Sequence, residues 1–348
     1  MGLRGYIIKR LIYTVFLVIF VCTVNFVIFE IMPHNPVALF FQPPHGGATH
    51  LSPEEIAVID REWGLNLPWP VRYATYMKQM LTFNFGLTNP TSGQPVIKVI
   101  AAYLPNTLIL MGITTVLAII IGVVLGVIAA YKRGGMFDNV AVIGSLVTFS
   151  LPTFWMGLLA ITIFAIDLHV LPSGGIVSTD ILLNPKYAWT AFSLLGTHFS
   201  VPTLGELEDR IIHLIMPVAV LTLFSYGGYV LLTRATMLET LTEDYILTAK
   251  AKGLKERTII FKHALKNASL PIITSSALAI GFLIGGAIIT ETVFAYQGIG
   301  WLTINSILIT QDYPVLQAIF YITALCVIIA NFISDLLYGV IDPRIKYG

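Results

Sequence analysis

The chain has 348 residues, 56% of them hydrophobic and 11% charged, with a mean hydropathy of +0.82. A soluble domain carries roughly a quarter charged residues; here the few charges are segregated, which excludes an ordinary water-soluble globule. A net charge of +1 gives no electrostatic footprint for a nucleic-acid partner.

Apolar runs of about 20 residues can cross a hydrocarbon core of about 30 Å as helices. Six are expected, at about 8–31, 106–130, 140–166, 211–233, 272–294 and 315–339, giving an all-α polytopic membrane protein with six transmembrane helices. Arg4, Lys9 and Arg10 precede the first run in the manner of a secretory leader. The apolar stretch from Leu11 to about Ile31 outlasts a leader, and no small-x-small cleavage site precedes Met32-Pro33, so it reads as an uncleaved span. Residues 32–103 hold Trp63, Trp69, Tyr73, Tyr76, Phe83 and Phe85 among prolines and glycines, and Ser52-Pro53-Glu54-Glu55 has the form of a capped helix start. This segment is expected to fold as a small cap outside the membrane.

The second span has no charge from Asn106 to Ala130. The third contains Pro152 and the fourth Pro217, each a flexing point or a local bend whose freed carbonyl neighbouring helices can satisfy. Between them, 169–210 is a second outside elaboration, with Leu171-Pro172-Ser173-Gly174-Gly175 followed by Trp189 and Phe192. Gly122 with Gly126, and Gly281 with Gly285, place small residues four apart for close helix packing. A core of five helices over 104–339 would then hold the 169–210 loop and a basic loop at 234–271, with a short tail at 340–348. With the N-terminus in the cytoplasm, the inside segments hold 14 of the 20 Lys and Arg, so both termini are expected to be cytoplasmic.

Several chemistries are missing. There is no Gly-x-x-x-x-Gly-Lys-Ser/Thr to cradle ATP phosphates and no His-Glu-x-x-His for zinc. His34, His45 and His50 share one segment at spacings that fit no metal template. Cys22 and Cys326 lie inside apolar runs and read as small packing residues. No catalytic group, metal or bound cofactor is expected. Glu30, Asp167, Glu291 and Asp335 fall near span ends, whereas ion-coupled carriers place ionisable groups or broken helices near the midplane. This counts against a secondary transporter and against a channel with a charged filter ring.

The most informative stretch is the basic loop between the fourth and fifth spans. Glu243 and Asp244 open, and Lys250 and Lys252 close, a short helix in the sense its dipole favours, with Gly253 as the stop. Ala249, Ala251 and Gly253 leave a thin flank for an approaching partner. A second amphipathic helix is expected from Lys255 to Asn267, with Leu270-Pro271 marking re-entry into the bilayer. Anionic headgroups could hold such a loop by charge alone; two adjacent helices with a small-residue junction fit docking into a partner's groove better.

Glu243-Asp244-Tyr245-x-x-Thr248-Ala249-Lys250-Ala251-Lys252-Gly253-Leu254, followed by His263-Ala264-Leu265-Lys266-Asn267-Ala268, resembles the EAA loop of ABC importer permeases of the dipeptide/oligopeptide type. Asn84-Phe85-Gly86-Leu87-Thr88, Leu151-Pro152-Thr153-Phe154-Trp155, Glu291-Thr292-Val293-Phe294 and Asp312-Tyr313-Pro314 extend the likeness along nearly the whole chain. It departs at Pro33-His34-Asn35-Pro36, where the family has Pro-Gly-Asp-Pro, and 169–210 is longer than in typical peptide permeases.

The resemblance implies a type I importer permease (MetI-like) fold in the cell membrane. It also implies a heterodimer with a second homologous permease, two cytoplasmic ATPases that bind ATP and Mg, and an extracytoplasmic solute-binding protein. Glu243, Asp244, Tyr245, Ala249, Lys250, Ala251, Lys252, Gly253, Leu254, His263 and Asn267 would transmit ATPase closure to the spans. Thr114, Ser145, Ser150, Trp155, Ser225 and Tyr226 are candidates for the translocation path. Oligopeptides are the implied cargo, with oligosaccharides and nickel as the family's other substrates. An ion-coupled carrier or a purely structural membrane protein are the rivals from other classes.

Overall fold

The computed structural model describes residues 3–31, 66–88, 93–184, 190–194 and 197–341. Among the described residues five helices are long and apolar enough to cross a membrane, and a sixth stretch of the same character, Met136–Asp167, is bent by 95° at a break. In chain order the helices are α1 (Leu3–Ile31), α2 (Trp69–Leu81), α3 (Val96–Tyr131), α4 (Met136–Ser150), α5 (Thr153–Asp167), α6 (Thr179–Leu183), α7 (Leu204–Thr240), α8 (Asp244–Ala251), α9 (Glu256–Gly285), α10 (Ile288–Val293), α11 (Ile299–Leu308) and α12 (Tyr313–Ile341).

Three expectations are corrected. The third span is not one helix: α4 and α5 meet at 95°. Leu151, at ψ 133°, takes the extended conformation that a following proline imposes, and Pro152 starts the next helix without needing an N–H partner. Pro105, Pro217 and Pro271, by contrast, stay inside continuous helices. The fifth span does not run to 294. It tightens into a 3₁₀ turn at Leu283–Gly285, breaks at Gly286 (φ 69°), and is followed by the separate short helix α10. The second amphipathic helix is likewise no separate element, because α9 runs unbroken from Glu256 through Pro271. The all-helical reading holds but for one antiparallel hairpin, Thr190–Leu194 with Thr197–Val201, in which Phe192 pairs with Phe199. The Ser52–Glu55 helix start and Trp63 lie outside the described residues.

Helices α3 and α7 outrun the bilayer. Their 36 and 37 residues correspond to about 55 Å at 1.5 Å per residue, against a hydrocarbon core of about 30 Å. Helix α7 therefore begins well before the expected 211. Thr203 caps it by accepting from Glu206 N, a Thr-x-x-Glu start the sequence displays.

The chain divides into two compact units. The first comprises residues 1–107, 281–288 and 298–348. Cys22, Phe26, Tyr76, Met80, Phe85, Ile299, Leu302, Val315 and Tyr321 form its core, so the described part of 32–103 is built into the packing of α1 and α12. Asn25 in α1 donates to the Tyr76 hydroxyl (2.8 Å) and to the Gln317 carbonyl (3.1 Å), which satisfies a buried amide within an apolar layer. Gly281 and Gly285 face α12: a Cβ at Gly281 would overlap that of Ala330, and one at Gly285 would meet Thr323 Cγ2 at 3.0 Å.

The second unit comprises residues 108–280 and 289–297. Its seam runs along α3 at every fourth position, Leu110, Thr114, Ala118, Gly122, Gly126 and Ala130. A Cβ at Gly126 would lie 2.6 Å from that of Thr233, and one at Gly122 would overlap that of Tyr229, so both glycines let the α7 backbone come close. Gly227 does the same for α4, with the Ser145 carbonyl 2.7 Å from where its Cβ would be.

Candidate functional site

The expected coupling loop folds as a helix set between two long ones. Leu241 N and Thr242 N bond back to Met237 and Glu239 (2.9 and 3.2 Å), turning the chain sharply out of α7 into α8. At the far end, Leu254 N donates to the Ala249 carbonyl (3.3 Å) and Gly253 N to that of Lys250 (2.9 Å), with Gly253 at φ 70°. This is a Schellman stop, and glycine takes the left-handed conformation it needs without steric cost.

Helix α8 is anchored on one side only. Ile246 is fully buried and Ala249 nearly so, in a cluster with Val127, Ala130, Met237, Ile259, Ile260, Ala264 and Ala268. Burying Ile246 alone is worth about 1.5–3 kcal/mol. Glu243, Asp244, Tyr245, Lys250, Ala251, Lys252, Gly253 and Leu254 are exposed, and His263 is half-buried on the adjoining turn. The Asn267 amide donates to the Tyr245 hydroxyl at 2.7 Å, joining two of the expected site residues across 22 positions of sequence. The expected thin flank is corrected: Ala249 faces the core and only Ala251 and Gly253 face away. Nothing in the described structure lies within 4 Å of a Cβ built at Gly253, so this end of α8 is open to an approaching surface.

The sequence reading missed an ion pair near the same end of α7. Arg234 donates to Asp138 twice, from Nε to Oδ1 (2.5 Å) and from Nη2 to Oδ2 (2.8 Å), and Gly134 N donates to Oδ2 (2.9 Å). Asp138 is 2% exposed. It sits in the first turn of α4, where a carboxylate is favoured by the helix dipole. The pair ties the start of α4 to α7, which carries α8.

The six path candidates separate. Thr114 and Ser145 are buried; Ser145 bonds its own helix at the Ala141 carbonyl and packs where Gly227 crosses. Ser150 and Trp155 are exposed on either side of the α4–α5 bend, and Ser225 and Tyr226 are half-buried on α7. The Tyr226 hydroxyl reaches α4, 3.8 Å from where a Cβ on Gly144 would be. Among the described residues no group of three or more His, Cys, Asp or Glu could hold a metal ion.

The profile of the family described as "binding-protein-dependent transport system inner membrane component" matches residues 122–347, and that of the N-terminal region of such membrane components matches 3–111. The oligopeptide transport system permease protein AppB of Bacillus subtilis is 35% identical over 99% of this chain and all of its own length. The dipeptide transport system permease protein DppB of Escherichia coli is 35% identical over 98% of both chains. A chain of the MetNI methionine ABC transporter, solved in inward-facing conformations, superposes with a TM-score of 0.52 at 16% identity, covering 71% of this chain and 98% of its own. That last likeness concerns the fold.

Proposed function

Because the chain belongs to the family of binding-protein-dependent transport system inner membrane components, we propose that it is the permease subunit of an ATP-driven importer of oligopeptides. The names of its curated relatives support the cargo. A second, homologous permease completes the pathway, two ATPase subunits bind ATP and Mg on the cytoplasmic side, and a solute-binding protein delivers the peptide from outside. The Lys and Arg distribution supports cytoplasmic termini and a cytoplasmic α8. In the same reading 32–103 is the outer cap segment.

The observation that carries this reading is α8: a short helix rigidly seated on one face, bare on the other, and fixed between two membrane-crossing helices. When ATP draws the ATPases together, a groove on them moves α8. The short turn at Leu241–Glu243 passes that displacement to α7, and the Tyr245–Asn267 bond with the apolar cluster passes it to α9. ATP then biases a two-state element at one end, and the spans respond together. Thr114, Ser145, Ser150, Trp155, Ser225 and Tyr226 are the proposed path residues; of these Ser150 and Trp155 are exposed and Ser225 and Tyr226 half-buried in this structure.

The test is Gly253→Trp against Gly253→Asn in the reconstituted complex. Asparagine accepts the left-handed conformation and stays small, so coupling survives. Tryptophan fills the open face, so ATP hydrolysis and peptide uptake separate while the chain remains folded. Uptake that proceeds normally with Gly253→Trp would remove α8 from the transmission path.

A further inference from the structure

At a place in unit 2 remote in sequence from α8, polar contacts gather around residues 171–178. This segment leaves α5 with Val170 N and Leu171 N bonded to the Phe164 carbonyl (2.9 and 3.2 Å). Gly175 N then donates to the Phe294 carbonyl at 2.8 Å. Gly174 sits so close to that same carbonyl that a Cβ would overlap it. Three residues on, Ser178 binds one carboxylate of α7 twice: its N donates to Asp209 Oδ2 (2.6 Å) and its hydroxyl to Oδ1 (2.8 Å). His213, one turn along α7 and buried, holds its Nδ1 2.8 Å from the Asp209 carbonyl and 3.5 Å from its carboxylate. Phe294 is 1% exposed, its ring edge against Gly157 of α5. Eight residues that grow from α5 are thus fastened to α7 on one side and to the 289–297 turn on the other.

We propose that residues 171–178 are a strap held by Asp209 as its positioning residue, and that the strap unseats and reseats with α7 in each transport cycle; this rests on reading the chain as an ATP-driven permease. Asp209 and the end that turns into α8 belong to one continuous helix, 31 residues or about 46 Å apart. Whatever moves α8 therefore reaches Asp209 along one continuous helix that carries Pro217 between them. The fastening suits repeated release. On the α7 side it consists of two directional hydrogen bonds to one carboxylate, so a small displacement of α7 breaks both together. The strap can seat only because residue 174 has no Cβ to meet the Phe294 carbonyl, which gives the seat a second, independent handle.

The test uses the complete transporter in proteoliposomes, with Cys22 and Cys326 replaced by alanine and a labelled tripeptide as probe. Ser178→Cys with Asp209→Cys is joined by a short reducible thiol crosslinker. Crosslinking is expected to stop ATP-driven uptake, and reduction to restore it. In separate complexes, Asp209→Ala, which removes both acceptors of Ser178, and Gly174→Ala, which props the strap off Phe294, are expected to raise ATP hydrolysis without binding protein about tenfold, the weight of one charge-assisted hydrogen bond. A crosslinked complex that transports at the uncrosslinked rate overturns the strap, as does failure of the crosslink to form. Absence of ATP-driven uptake in the unsubstituted transporter would instead defeat the reading beneath it, while crosslink yield in the purified chain still reports whether the strap is seated.

Discussion

Replacing Asp138 by alanine removes the acceptor of three hydrogen bonds, two from Arg234 and one from Gly134 N. Breaking a buried pair from one side costs about 3–5 kcal/mol, because the surviving charge is left without its partner. Here the Arg234 side chain is 27% exposed against 2% for Asp138, so the orphaned guanidinium recovers some water and the cost falls at the lower end, about 3 kcal/mol. Arg234→Met should cost a similar amount, since the carboxylate keeps Gly134 N and the α4 dipole but loses its counter-charge. The double substitution removes both charges and should cost no more than either single one, a coupling of at least about 3 kcal/mol. Unfolding of the purified chain by sodium dodecyl sulfate in mixed micelles, followed by helical signal, measures all three. If the double variant loses the sum of the two single losses to within about 0.5 kcal/mol, the pair does not act as a unit and the link between α4 and α7 fails.

Adjacent glycines on α7 should respond oppositely. Gly227→Ala meets the Ser145 backbone and should lose about 1–3 kcal/mol, whereas Gly228→Ala enters open space and should gain up to about 1 kcal/mol from helix propensity, both read in the same titration. The Thr233 hydroxyl is buried with no hydrogen-bond partner among the described residues, so Thr233→Val should stabilise the chain by about 1 kcal/mol; a loss would mean the hydroxyl has a partner. On α8, Ala249→Glu buries a charge and should dislodge the helix, exposing the surrounding segment to limited proteolysis. Ala251→Glu should leave proteolysis unchanged and abolish pull-down of the ATPase subunits.

The spans were legible because hydropathy reports burial in lipid directly, and Gly253 was legible because a helix stop is a local event with local chemistry. The break after α9 was not, since Leu283 to Val293 continues the apolar run that precedes it and the break itself falls at Gly286. The Asp138–Arg234 pair joins residues 96 apart, and nothing at either position names the other. The inward turn of Ala249 was within reach: successive helix residues are about 100° apart, so Ala249 and Ala251 stand about 200° from one another and cannot share a flank. Ser145 and Thr114 are both buried, and Ser145 sits at a close helix crossing, a place small polar side chains serve as well as they serve a water-lined path, so polarity alone does not separate the two roles.

Helix α7 also limits how this chain can change in length. A residue inserted between Asp209 and Arg234 would rotate everything beyond it by about 100° and advance it by about 1.5 Å. Asp209 could then meet Ser178, or Arg234 could meet Asp138, but not both. The helix therefore acts as a gauge of fixed length, and additions and losses are barred between those two positions.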